Sequence, residues 1–76
     1  MTVFIVVGED RHSGLTVHQV CLEKAIAIAD ARAMAEEYAA YNDQPDVKIS
    51  RRPDEPYHGE YSCEGDYVAV IEKEVK

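Results

Sequence analysis

The chain opens with five large apolar residues in succession, Val3-Phe4-Ile5-Val6-Val7. Residues 2–8 therefore predict a strand with two apolar faces, the pattern of an interior strand covered on both sides or nearly so, and Gly8 ends it. Glu9 to Gly14 is a polar turn closed by a glycine. Residues 15–21 predict a second strand, with Leu15, Val17 and Cys21 on one face and Thr16, His18 and Val20 on the other; Gln19 breaks the first face. Two apolar runs joined by a six-residue polar loop predict a β-hairpin.

The rhythm then lengthens. Residues 23–41 hold eight alanines and neither glycine nor proline, a composition that loses little side-chain entropy in a helix. At about 100° per residue, Ala27, Ile28, Ala31, Met34, Ala35, Tyr38 and Ala39 fall on one wide face. Asp30, Arg32, Glu36 and Glu37 mostly face away, and Arg32 and Glu36 stand four apart, a spacing that adds a few tenths of a kcal/mol when the charges meet. No Ser, Thr, Asp or Asn stands ready as N-cap, so the start is poorly defined, while Asn42, Asp43 and Pro45 stop the helix. A narrower stripe of Ile26, Ala29, Ala33 and Ala40 on the far side reads either as a plain solvent face or as a contact for a second helix.

Residues 46–51 predict a short strand with Val47 and Ile49 inward. Residues 52–66, with Pro53, Pro56, Gly59 and Gly65, predict a long loop. Residues 67–75 predict the last strand, Tyr67, Ala69 and Ile71 alternating with Val68 and Val70. The order β-β-α-β-β predicts an α+β fold: a two-layer, mostly antiparallel sheet of 3–4 strands with one long Ala-rich helix packed on one face and the apolar first strand inside the sheet.

A length of 76 residues implies one domain, 1–76, with a marginal core. Short domains draw added support from disulfides, a metal or self-association; Cys21 and Cys63 make no disulfide framework, which leaves self-association. No apolar run approaches the roughly 20 residues that span a bilayer. No basic residue precedes the apolar start, so the expectation is a cytoplasmic protein with reduced thiols. A net charge of −7 disfavours direct contact with nucleic acid or an anionic membrane, and points to a basic protein partner.

The candidates for chemistry are weak. Gly8 to Gly14 follows a strand, but its glycine spacing is not that of a phosphate loop, no Lys-Ser/Thr follows, and Glu9 and Asp10 repel phosphate. Cys63 with His58 and Glu60 lacks anything that lowers the thiol pKa. His12, His18, His58, Cys21 and Cys63 are not at zinc spacing, and the carboxylates lack the order of a calcium loop. So short a chain has little room to wall a pocket of a few hundred Å³. No enzyme activity, metal or cofactor is expected.

One surface segment is unusual. From Pro53 to Glu72 there is no Lys or Arg, and Tyr57, Tyr61 and Tyr67 are interleaved with carboxylates. Tyrosine gives contact area at low entropic cost, and carboxylates pair with Arg and Lys. The expected partner-binding residues are Asp54, Glu55, Tyr57, Glu60, Tyr61, Glu64 and Asp66, joined by Asp30, Glu36 and Glu37 of the helix, with Arg51-Arg52 as a local interruption. In size and charge the chain resembles phage-encoded inhibitors, including anti-CRISPR proteins, a resemblance of type carried by composition rather than by a motif. It implies an inhibitor or decoy that occupies a basic, nucleic-acid-binding surface, with carboxylates standing for phosphates and rings for bases. The alternatives are a structural or regulatory homodimer, joined through a sheet edge or the alanine stripe, and a minimal enzyme around His58, Cys63 or the acids.

Overall fold

The computed structural model describes residues 1–44 and 46–76. Its elements are β1 (Thr2–Asp10), β2 (Gly14–Cys21), α1 (Lys24–Tyr41), β3 (Lys48–Ile49), β4 (Tyr57–Glu60) and β5 (Tyr67–Glu74). The strands form one antiparallel sheet in the order β2-β1-β5-β4-β3, with α1 laid across one face. The expected α+β architecture is present, with β1 inside the sheet and one strand more than the upper expectation.

Alternation along the strands sorts their side chains onto two faces. Phe4 and Val6 of β1, Val68 and Val70 of β5, and Tyr57 of β4 meet Ala27, Ala31, Ala35 and Ala39 of α1, with Ile28, Met34 and Tyr38 flanking them. Four alanines at i,i+4 spacing form a smooth stripe, so the bulky core side chains come mainly from the sheet. The ends of α1 contribute less. Glu23 makes no capping side-chain bond, while the Asn42 side chain donates to the Tyr38 carbonyl at 2.8 Å. Among the described residues Arg32 forms no ion pair with Glu36. Packing on the sheet therefore holds α1, more than its local interactions do.

Three local expectations are corrected. The segment read as a loop over 52–66 contains β4, which pairs with β5 along Tyr57–Glu60. Its alternation turns Tyr57, Gly59 and Tyr61 toward α1; a Cβ on Gly59 would lie 2.6 Å from Tyr57 Oη and 2.7 Å from Val47 Cγ1, so only glycine fits. The strand expected over 46–51 shortens to Lys48–Ile49: Val47 packs against the core, but Ile49 is exposed. Pro45, an expected helix stop, lies outside the described residues. Finally, β2 carries a bulge. Val6 opposes Gln19 and Val7 opposes Val17, which leaves His18 as the extra residue. The bulge moves Val20 onto the face of Leu15 and Val17, and puts Thr16, Gln19 and Cys21 on the helix side.

Candidate protein-interaction surface

The expected acidic and aromatic face does not form. Tyr57 and Tyr61 are core residues, 6 % and 8 % exposed, because the pairing of β4 with β5 points them at the helix. The Tyr61 ring lies 5.1 Å from that of Tyr38. Burial pushes the Tyr61 phenol up to about 12 and raises that of Tyr57, whose buried hydroxyl has no hydrogen-bond partner among the described residues. So little of either ring is exposed that neither offers a broad contact face, and both are withdrawn from the candidate surface.

The carboxylates are scattered and partly engaged. Glu64 forms an ion pair with Arg11, and Asp66 accepts bonds from the Arg11 backbone N–H at 3.1 Å and the Ser62 hydroxyl at 3.0 Å. Glu55 sits 3.0 Å from Nδ1 of the buried His58, and Asp30 accepts a bond from Gln19 at 2.9 Å. Glu36 and Glu37 are exposed on α1, whereas Glu60 shares the opposite face of the molecule with His58. Asp54 is exposed in a turn with φ of 61°. No single surface contains all ten expected residues.

The surface that does stand out lies on the side of the sheet away from α1. Cross-strand register orders it in rows. Val20, Ile5 and Ile71 form one row, and Val17, Val7, Ala69 and His58 the next. Leu15, Glu9, Tyr67 and Glu60 form a third, bounded by Tyr67, which stacks on His58 at 4.3 Å and donates a 2.6 Å hydrogen bond to Glu9. That bond first, then burial, raises the Tyr67 phenol to about 12. In the middle of the face Val7 and Ala69 are buried by their neighbours, while toward β2 the side chains open to solvent: Leu15, Val17 and Val20 are 59 %, 60 % and 59 % exposed. Among the described residues no element covers them. Sequence reasoning missed this surface because it treated both faces of β1 as covered; the available signal was that one helix cannot cover both.

The β2 strand is also an outer strand of the sheet, and from Gly14 to Leu22 it carries no charged residue in a chain that is 30 % charged. The opposite edge differs. There β3 is two residues long and is followed by Arg51, Arg52 and Pro53.

The molecule builds larger clefts than its length suggests. One of about 470 Å³ lies between α1 and the β3–β4 end, walled by Arg32, Glu36, Val47 and Tyr57. Another of about 450 Å³ lies by the C-terminal end of α1, walled by Asp10, His12, His18, Tyr41 and Asp66. In it the Asp10 carboxyl is held below its usual range by the Ser13 and His12 backbone N–H groups, which it caps. Among the described residues no three His, Cys, Asp or Glu side chains gather as metal ligands, and no helix is long and apolar enough to cross a membrane. No family model, no curated protein and no solved structure matches this chain.

Proposed function

We propose that this chain is a non-enzymatic protein-binding domain whose contact surface is the apolar sheet face that α1 leaves uncovered. The observation that carries the reading is the exposure of Leu15, Val17 and Val20 beside Ile5 and Ile71. Apolar surface gathered on one face is stabilised by removal from water, and such patches mark contact sites. The test is affinity capture from lysate with wild-type, Ile71→Lys and Glu36→Lys/Glu37→Lys baits, each checked for folding by circular dichroism. A partner lost with Ile71→Lys and kept with the helix double variant supports the reading; the reverse pattern sinks it.

A second reading keeps the acidic partner surface without its tyrosines. Glu36 and Glu37 are exposed on the outer side of α1 in a chain of net charge −7, which suits an inhibitor or decoy for a basic, nucleic-acid-binding protein. Binding would then weaken with added salt and be lost in the double variant.

A further inference from the structure

The outer edge of β2 narrows the partner further, on the assumption that the domain acts by binding protein. We propose that β2 pairs in antiparallel fashion with β2 of a second copy, so that two five-stranded sheets become one continuous sheet across a two-fold axis. A strand edge presents backbone N–H and C=O groups that only another extended segment satisfies in series, so the occupant is a strand.

Charge identifies which strand. A basic partner would be gripped by carboxylates on the edge, and Gly14 to Leu22 has none. Two copies of net charge −7 repel wherever their acidic surfaces meet, and Gly14 to Leu22 brings no carboxylate of its own into the strand pair. Of the carboxylates beside the strand, Asp30 lies on the helix side and accepts a bond from Gln19, and Glu9, opposite Leu15 on β1, accepts one from Tyr67.

The bulge makes the strand complementary to itself. With His18 as the extra residue, Val17 and Val20 fall on the same face, immediately either side of the His18–Gln19 pair. A two-fold axis through that pair sets Val17 of each copy opposite Val20 of the other, with Leu15 and Leu22 at the two ends. The contact uses β2 of both copies and leaves only the β3 edges outward, so the assembly closes as a dimer. Its area is that of one strand pair and flanking side chains, which places it in the weak, reversible class.

The test is sedimentation equilibrium of the full chain under reducing conditions, from about 10 μM to about 1 mM. The expected result is a mass that rises with concentration from 8.5 kDa toward twice that value. Val17→Lys should weaken association about tenfold or more, by placing two charges in the contact, while Ile49→Lys on β3 leaves it unchanged. Concentration-dependent protection of β2 amides in wild-type protein, read by hydrogen exchange, gives the same answer without any variant. A chain that stays monomeric throughout overturns the dimer, as does a dimer indifferent to Val17→Lys whose β2 amides exchange alike at all concentrations. A monomeric chain whose captured partner still depends on Ile71 would overturn the dimer alone and leave the protein-binding reading in place.

Discussion

The two edges of this sheet are built on opposite principles. At one edge β3 offers two residues and then Arg51, Arg52 and Pro53, which present charge and a missing N–H to anything that approaches. At the other, β2 offers eight residues without a charge and with exposed Leu15, Val17 and Val20. The interiors beside these edges differ too. Next to β3, Gly59 is wedged between Tyr57 and Val47; next to β2, Gly8 lies under the imidazole of an exposed His18. One edge is closed and tightly packed, the other open and loosely covered, and a fold that leaves such an edge bare leaves room for a partner there.

The largest effect that can test this contrast is on stability. Gly59→Ala should cost about 1–3 kcal/mol in denaturant unfolding, because its Cβ meets Val47 and Tyr57 in the packed core. The next is on association: Val17→Lys should weaken self-pairing about tenfold, equivalent to about 1.4 kcal/mol, while Ile49→Lys has no effect, and equal effects from the two would erase the distinction. Gly8→Ala should cost less than about 1 kcal/mol, since its Cβ meets a side-chain ring at 2.7 Å that is free to swing into solvent; a penalty matching that of Gly59→Ala would show the two sides equally rigid.

A pH test sharpens the same comparison. Folding raises the Tyr61 and Tyr67 phenols to about 12, above their ordinary value of 10. Their contribution to stability is therefore complete below pH 10 and is lost as pH rises toward 12. Ultraviolet titration should show both ionising late, with a smaller late step in Tyr61→Phe. The smallest effect expected is from Glu64→Gln, which removes an exposed ion pair with Arg11 and should change stability by less than about 1 kcal/mol.

The helix, the first hairpin and the last strand were legible because each rests on a long, regular apolar rhythm. The alanine face of residues 27–39 fell where expected, since helical spacing alone fixes it. The β4 strand was not legible, because Pro53, Pro56 and Gly59 read as punctuation; the period-two recurrence in Tyr57, Gly59 and Tyr61 was the better guide. That error carried the site with it, since two tyrosines assigned to a solvated loop belong to the core. The faces of β2 were misread for a similar reason. Gln19 looked like a flaw in the alternation, when the break marked an inserted residue.

That inserted residue has a consequence for what the protein must avoid. A straight, uncharged strand edge is the template from which fibrils grow, each chain adding to the last without limit. Removing His18 would leave Val6 and Val7 opposite consecutive residues of β2 and straighten the ladder. The kink it creates breaks the straight ladder at its midpoint, and in the proposed pairing, which uses β2 of both copies, each domain adds one partner and no more.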